Sequence, residues 1–172
     1  TFIKLINNNE IKYAKNDIVL ENKYNQLSNK LLPKGKIYIG IAPGAGDKSK
    51  IWPLNRFIQL AQKQVKKNRV PIFFLGPDEK HLLENKKNKI PEAIFPEWTD
   101  VAIDSGLKGP ILVIALAKKI NVAIANDSGT GHMLALGGTK LISLFSKHNP
   151  IKYAPNAKEL IILDSKKWGG TD

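Results

Sequence analysis

Three short polar segments combine residue types that can bind a phosphorylated ligand. In the first, APGAGDKSKIWP (residues 42–53), glycines let the backbone approach a ligand, and lysines follow as mobile cations. A helix that begins just after this segment would add the positive end of its dipole. These features suit a diphosphate near Gly44, Lys48 and Lys50, although the spacing matches neither a P-loop nor G-x-G-x-x-G. The alternative interpretation is an ordinary strand-to-helix loop with solvated lysines.

The second segment, LGPDEKHLL (residues 75–83), is typical of a strand that passes into a helix. Gly76 ends the apolar run, and Pro77 suits the first helical position. Asp78 and Glu79 then complement the helix dipole in its first turn. A carboxylate at this point could also accept hydrogen bonds from a ribose diol. Helix capping alone is the alternative explanation of the acidic pair.

The third segment, AIANDSGTGHML (residues 123–134), places three N-cap residues in succession, which is more than one helix start needs. We expect one of Asn126, Asp127 and Ser128 to cap the helix, which leaves two polar residues for another purpose. Together with the backbone N–H groups that open the helix and with His132, they predict a site for a polyhydroxylated anion.

A Ser-His-Asp hydrolase site is a competing interpretation of the third segment. Ser128 lies outside a G-x-S-x-G elbow, and Asp127 adjoins it directly in sequence, so the arrangement does not match a catalytic triad. A lone histidine on a short helix is also more often structural than catalytic. We therefore set nucleophilic catalysis aside.

Apolar runs with few polar interruptions predict the strands that position these segments. Strands are expected at residues 37–42, 70–76, 120–125, 140–145 and 160–163, with a short one at 93–95. Helices are expected at residues 53–65, 77–87 and 109–119, with a short one through Leu136. Strands of this kind are covered on both faces, which predicts a Rossmann-like three-layer α/β domain with a mainly parallel sheet. Such sheets bind ligands beyond the carboxyl ends of their strands, where all three polar segments lie.

Composition argues against several classes of site and partner. The 172 residues include no cysteine, and the three histidines lack the spacing of metal ligands, so no metal is expected. No apolar run reaches the roughly 18 residues of a membrane span. Only two of the 27 basic residues are arginine, and the lysines are dispersed. The net charge of +12 therefore indicates a solvated surface, compatible with peripheral contact with anionic membrane, and no nucleic-acid partner.

The first 36 residues lack the regular pattern that begins at residue 37. We interpret residues 1–36 as a linker or remnant of a preceding half, with a brief helix that Pro33 and Gly35 end. Residues 37–172 would then form the ligand-binding domain. Because the chain begins at Thr1 without a methionine, we expect it to be a piece of a longer protein.

Taken together, the three segments resemble one protein family. PGA and K-x-W-P after the first strand, GPDE after the second and NDSG-x-x-H after a later one look like the C-terminal half of glycosyltransferase family 9. Its best-known members are the ADP-heptose:lipopolysaccharide heptosyltransferases. The resemblance extends over residues 37–155 and implies one half of a GT-B enzyme, in which two Rossmann-like domains face each other across a cleft. Residues 37–172 would be its C-terminal nucleotide-sugar-binding domain.

The resemblance also implies roles for individual residues. Gly44 and Ala45 would line the donor's diphosphate, which Lys50 would neutralise. Glu79, or Asp78 beside it, would hold the ribose. The loop at residues 105–109 would flank the base. The other candidate binding residues belong to the same motifs and are Pro43, Trp52, Gly76, Asp127 on the sugar hydroxyls, Ser128, Gly129 and Thr130 as backbone donors, and His132 close by.

The reaction implied is an inverting, metal-independent transfer of a heptose-like sugar to a lipopolysaccharide-type acceptor. Lys50 would stabilise the departing diphosphate. The general base and the site for the lipid-linked acceptor would belong to the missing N-terminal half, so this chain alone should be inactive. No cofactor is expected, since the nucleotide-sugar donor is a substrate. We expect a cytoplasmic location, with peripheral contact at the inner face of the bacterial inner membrane.

Two features depart from the family pattern. Ser146 and Lys147 stand in LFSKHNP, where the family usually has a Gly-Pro-like turn, and the small residues of MLALGG are irregularly spaced. Two alternatives therefore stay open. One is another GT-B enzyme, a transferase or epimerase, that uses a UDP-sugar. The other is a non-enzymatic basic α/β module that binds anions.

Overall fold

Parallel strands form one sheet in the part of the chain that this computed structural model describes, residues 18–82 and 89–168. The strands are β1 (Tyr38–Ala42), β2 (Val70–Phe73), β3 (Val122–Asn126), β4 (Lys140–Phe145) and β5 (Leu160–Asp164). Their order across the sheet is β2-β1-β3-β4-β5, and every pairing between them is parallel. The parallel sheet predicted from the apolar runs is thus confirmed.

Helices connect the strands and cover the sheet. The α-helices are α1 (Asn22–Leu31), α2 (Leu54–Val65), α3 (Asp100–Ser105), α4 (Pro110–Ala117), α5 (Gly129–Leu136) and α6 (Pro150–Tyr153). Short 3-10 helices lie at Lys48–Lys50, Pro77–Leu82, Pro96–Trp98 and Ser165–Trp168. Within the described residues, no helix has the length and apolar character that a membrane crossing requires.

Both faces of the sheet are apolar, because successive side chains of a strand point to opposite faces. In β3, Ala123 and Ala125 belong to the core on one face, whereas Ile124 packs into the core on the other. Leu116 of α4 is buried in the first core, and Phe57 of α2 is buried in the second. Two helical layers therefore enclose the sheet, which confirms the predicted Rossmann-like three-layer fold.

Helix α1 packs against the same core as the sheet. Leu27, Leu31 and Leu32 are buried in that core, together with residues of α4 and β3. The brief helix predicted before residue 33 is present, and it packs against the domain because it carries an apolar face that the core buries. The domain boundary after residue 36 stays a prediction. Residues 1–17 lie outside the described residues.

Two predicted strands are shorter than expected, and the described part of one predicted helix is a 3-10 helix. The strand predicted over residues 70–76 ends at Phe73, although Phe74 and Leu75 stay buried, which is why the apolar run is longer than the strand. The strand predicted at residues 93–95 is a single parallel bridge between Ile72 and Ile94. The helix predicted at residues 77–87 is the 3-10 helix Pro77–Leu82, and residues 83–88 lie outside the described part.

The order of the strands creates a crevice between β1 and β3. From β1 the chain moves outward to β2, and it then returns past β1 to β3, β4 and β5. The connections that follow β1 and β3 therefore run in opposite directions and separate at the carboxyl ends of these two strands. Parallel sheets bind ligands at such a point. The polar segments that follow β1 and β3 meet there.

Candidate functional site

Asn126, the last residue of β3, joins the segment that follows β1 to the sheet. Its side-chain Nδ2 donates a hydrogen bond to the Pro43 carbonyl oxygen over 2.8 Å, and its Oδ1 accepts one from the Trp52 backbone N–H over 3.1 Å. Asn126 is fully buried, so these partners satisfy polar groups that water cannot reach. Both ends of the 43–52 segment are thereby fixed to the end of β3.

Asp127 contacts a lysine and a histidine side chain at the same edge. Its Oδ2 lies 3.4 Å from Lys50 Nζ and 2.8 Å from His148 Nδ1. The Asp127 and Lys50 side chains are only 7% and 13% exposed, so their charges are shielded from water. Burying a carboxylate is costly unless it is paired, and these partners offset that cost. The largely buried ammonium of Lys50 is therefore held at the crevice, by the residue that precedes the N-cap of α5.

The loop after β4 packs against the 3-10 helix Lys48–Lys50. Ser146 Oγ donates a hydrogen bond to the Ser49 carbonyl oxygen over 3.2 Å, and Lys147 Nζ lies 3.4 Å from Asp47 Oδ2. Hydrogen bonds from the Ser49 backbone N–H and hydroxyl lower the pKa of Asp47 to about 2, with a smaller effect of Lys147. The residues that depart from the family's usual turn thus help to fix the segment that carries Lys50.

A cavity of about 200 Å³ lies between the loops that follow β1, β2 and β3. Its walls are Gly44, Ala45, Gly46, Phe74, Glu79, Ser128, Gly129, Thr130 and Met133. The cavity opens beside the N-terminus of α5, where the first N–H groups have no partner within the helix. The structure therefore brings together glycine backbone, helix N–H groups and a carboxylate, as the three sequence segments predicted.

None of the three N-cap residues caps α5 with its side chain. Asn126 and Asp127 bind other segments, and Ser128 occupies the N-cap position without a side-chain capping bond. The Ser128 hydroxyl is buried and has no hydrogen-bond partner among the described residues. The predicted cap is therefore wrong, because tertiary contacts use two of these side chains and leave the third beside the cavity.

Glu79 lies between the glycines of two loops. A Cβ atom on Gly44 would collide with Glu79 Oε1, and one on Gly76 would lie 2.8 Å from Oε2. Both positions therefore need glycine if the carboxylate is to keep its place at the cavity wall. Asp78 lies on the 3-10 helix Pro77–Leu82, but its side chain is outside the described part of the structure. Of the acidic pair, Glu79 is placed at the cavity.

A second cavity, of about 560 Å³, lies on the far side of the loop that follows β2. Its walls include Leu75, Pro77, Glu97, Trp98, Ala102, Ile103 and residues 106–109. Trp98 Nε1 donates a hydrogen bond to the Leu75 carbonyl oxygen over 3.0 Å, which fixes the indole in the wall. Burial, and next the charge of Glu79, raise the pKa of Glu97 to about 7. Residues 106–109, in the loop predicted to flank the nucleotide base, therefore line a mainly apolar cavity that also contains the weakly acidic carboxyl group of Glu97.

The walls of the 200 Å³ cavity leave out several predicted residues, namely Pro43, Lys50, Trp52, Gly76, Asp127 and His132, and Lys50 lines a different space, of about 320 Å³. The Trp52 ring packs edge-to-face against Phe57, with ring centroids 4.9 Å apart, and lines that same space. His132 lies on the first turn of α5 and is exposed. Pro43 is buried and takes part through its carbonyl oxygen alone.

Sequence reasoning did not identify the position of Glu97 in a cavity wall or the contact of His148 with Asp127. Glu97 stands in PEWTD, where nothing in the local pattern indicates that the carboxylate is buried. His148 follows β4, so its position after a parallel strand was a signal that could have placed it at the ligand-binding edge. Its contact with Asp127 depends on two separate loops and could not be read from spacing.

Comparison with known proteins gives a consistent family. The family model described as glycosyltransferase family 9 (heptosyltransferase) matches residues 3–171. The lipopolysaccharide core heptosyltransferase OpsX of Haemophilus influenzae is 28% identical over 115 residues, which cover 67% of this chain and 32% of that protein. The motifs after β1, β2 and β3 thus pointed to the same family as the match over nearly the whole chain.

Two solved structures share the fold. The Escherichia coli ADP-heptose lipopolysaccharide heptosyltransferase II aligns with a TM-score of 0.66 and 18% identity, over 85% of this chain and 44% of that one. A glycosyl transferase family 9 protein from Veillonella parvula aligns with a TM-score of 0.69 and 21% identity, over 86% and 42%. The chain spans less than half the length of these relatives.

Proposed function

The chain belongs to glycosyltransferase family 9, and from this premise we propose that it is the donor-binding domain of a heptosyltransferase-like enzyme. The donor would be a nucleotide-diphosphate sugar of the ADP-heptose type. Transfer would be inverting and independent of a metal ion. The names of the relatives, which include a lipopolysaccharide core and an ADP-heptose heptosyltransferase, support this choice of donor and of a lipopolysaccharide-type acceptor.

The observation that carries the proposal is the largely buried pair of Lys50 and Asp127, because Asp127 directly precedes Ser128 in the wall of a cavity of glycines and helix N–H groups. An anion that entered the crevice would meet the Lys50 ammonium and the N-terminus of α5. Both favour negative charge, and both are fixed in place before a ligand arrives. Fixed positive groups of this kind can stabilise charge that develops on a departing diphosphate. Lys50 would therefore act on the leaving group.

The walls of the two cavities support an assignment of particular residues to each part of the donor. Glu79 would accept hydrogen bonds from the ribose hydroxyls, and the apolar space along residues 106–109 would take the base. Asp127 would contact the sugar hydroxyls, and the unpartnered Ser128 hydroxyl would add a further polar contact. Gly44, Ala45, Gly129 and Thr130 would line the diphosphate with backbone. His132, exposed on the same helix, would stand at the outer edge.

The remainder of the reaction would need groups outside this chain. Because the chain spans less than half of its solved relatives, we assign the general base and the acceptor site to the rest of the enzyme. This chain alone should bind the donor without transferring its sugar. Work on a lipid-linked acceptor would place the enzyme at the inner face of the bacterial inner membrane.

Binding of nucleotides to the purified chain tests the proposal. Isothermal titration should detect ADP, with a weaker response to UDP. Lys50→Ala should weaken ADP binding about 10- to 100-fold, which corresponds to one lost charge-assisted contact. Lys48→Ala is the matched control, because Lys48 lies exposed on the same 3-10 helix and should matter little.

Two other results would favour the alternatives. Tighter binding of UDP than of ADP would indicate an enzyme that uses a UDP-sugar. Binding of unrelated polyanions that disappears with added salt and does not respond to Lys50→Ala would indicate a basic anion-binding module. Either result would contradict the proposed donor.

A further inference from the structure

His148 is the residue of the crevice that the proposed donor site does not use. It lies in the loop after β4, two residues before α6 begins at Pro150. Its Nδ1 atom is 2.8 Å from Asp127 Oδ2, the same oxygen that lies 3.4 Å from Lys50 Nζ. One buried carboxylate oxygen therefore holds both side chains, which places the imidazole beside the ammonium that would meet the diphosphate.

The contacts of the ring fix its orientation. A carboxylate can only accept a hydrogen bond, so Nδ1 must carry the proton in this pair. The ring also lies against Tyr153, with centroids 4.8 Å apart and planes inclined by 35°. Nε2, on the opposite side of the imidazole, has no hydrogen-bond partner within residues 18–82 and 89–168. The His148 side chain is 37% exposed, so part of the ring is open to solvent.

We propose that His148 is a further donor-binding residue, whose Nε2–H donates a hydrogen bond to a phosphate oxygen of the nucleotide-sugar diphosphate while Asp127 holds Nδ1. This inference depends on the proposed function, because it names a second cation for the same ligand. Asp127 would thus have two tasks, to pair with both side chains and to orient them toward the diphosphate. Lys50 alone would leave part of the diphosphate charge without a partner.

The proposal requires affinity to depend on pH. Because Nδ1 carries a proton in this pair, Nε2 can donate a hydrogen bond only when the ring is an imidazolium. In the neutral ring Nε2 carries a lone pair, which would repel phosphate oxygens. The charged groups around the ring are Asp127, Lys50, the neighbouring Lys147 and Lys152, whose Nζ lies 5.2 Å from the centroid of the Tyr153 ring. Affinity should therefore be lower at high pH, where a neutral imidazole would offer the phosphate no Nε2 proton.

Titration of ADP into the wild-type chain and into His148→Gln, between about pH 5.5 and pH 8.5, tests this dependence. Glutamine can still donate to Asp127 but cannot become charged. At low pH the variant should bind ADP about tenfold more weakly than wild type, and the two affinities should converge as the pH rises. Because the terminal phosphate of ADP also titrates, the difference between the two profiles is the quantity that counts.

Lys147→Ala is the matched control, since it removes a cation from the same loop. Lys147 is 61% exposed and pairs with Asp47, so its loss should lower affinity slightly and equally at every pH. Parallel profiles for wild type and His148→Gln would overturn the inference while ADP binding itself upheld the proposed function. Failure of the wild-type chain to bind ADP at any pH would contradict both.

Nuclear magnetic resonance of the wild-type imidazole gives a second test that needs no variant. Addition of ADP should shift the His148 Nε2 resonance, because a bound phosphate oxygen would accept the Nε2 proton. An Nε2 resonance that ADP leaves unchanged would overturn the inference, even if His148→Gln proved too unstable to study.

Discussion

Asn126 Nδ2 donates a hydrogen bond to the Pro43 carbonyl oxygen over 2.8 Å, and this buried bond joins the carboxyl ends of β3 and β1. The Pro43 carbonyl oxygen belongs to the loop that continues to Lys50. The residue after Asn126 is Asp127, whose carboxylate pairs with Lys50. The asparagine therefore holds in register the two segments that form the crevice.

Asn126→Ala should lower both stability and ligand affinity. The Pro43 carbonyl oxygen and the Trp52 N–H would lose their partner, at a cost of about 1–3 kcal/mol for each buried group. Urea denaturation would measure the loss of unfolding free energy, and titration with ADP would measure the loss of affinity.

Asn121→Ala provides the matched control for that change. Asn121 Oδ1 accepts a hydrogen bond from the Tyr38 N–H over 2.8 Å, at the opposite edge of the same two strands. Its loss should lower stability and leave ADP affinity close to that of wild type. Equal loss of affinity in both variants would mean that Asn126 acts through general stability alone.

Gly44→Ala should displace the Glu79 carboxylate without unfolding the protein. The added Cβ would meet the far end of a flexible side chain, which can turn away at little cost. We expect a change in unfolding free energy within about 0.5 kcal/mol, as for ordinary surface substitutions. If Glu79 holds the ribose, the preference for ADP over its 2′-deoxy analogue should shrink, as titration with the two nucleotides would show.

Gly46→Ala separates this effect from the general cost of replacing a glycine. A Cβ at Gly46 would have open space around it, so the variant should keep the wild-type preference between the two nucleotides. An unchanged preference in Gly44→Ala as well would remove Glu79 from the ribose site.

The carboxyl group of Glu97 should make stability depend on pH. Its pKa of about 7, against an ordinary 4.5, means that the folded protein holds this proton more tightly than the unfolded chain does. The stabilising effect is complete below about pH 4.5 and is lost as the pH rises through about 7, up to a total on the order of 3 kcal/mol. Thermal or urea unfolding across this range would measure it.

Glu97→Gln stays neutral and should remove that dependence. Relative to wild type, the variant should gain unfolding free energy between about pH 5 and pH 8. Glu92→Gln, at an exposed position nearby, controls for the loss of one negative charge. If the curves of wild type and Glu97→Gln ran parallel, the ionised Glu97 would not be destabilising in the folded protein.

Removal of metal ions should leave ADP binding unchanged. In the proposed site, Lys50, His148 and the N-terminus of α5 supply the positive charge that a divalent cation would otherwise provide. Titrations with a chelator and with added Mg²⁺ should therefore give the same affinity. A large loss on chelation, restored by Mg²⁺, would show that these groups are insufficient.

The fold, and the strand edge where the candidate site is proposed, could be predicted because the relevant patterns are local. Runs such as INVAIA, apolar on both faces, indicate a buried parallel strand, and Pro53 and Pro110 lie near the starts of their helices. The carboxyl ends of parallel strands share one edge, so polar segments after different strands were expected to meet. Motifs within those segments were enough to indicate the family.

The partners of individual side chains could not be predicted in this way. NDS looks like a helix cap, yet Asn126 and Asp127 bind residues far away in sequence, and Glu97 looks like an ordinary surface acid. Each outcome depends on which strands are neighbours and on how the loops pack above them. The spacing of residues along the sequence does not show which side chains are close together in the folded protein.

The amino-acid sequence by itself therefore determined the layers, the strand edge that carries the site and the residue types gathered there. Only the tertiary structure decided that β1 and β3 are neighbours, that one oxygen of Asp127 holds both Lys50 and His148, and that the carboxyl of Glu97 is largely removed from water. The physical reason is that periodicity and capping act over a few residues, whereas charge pairing and desolvation depend on atoms that only folding brings together.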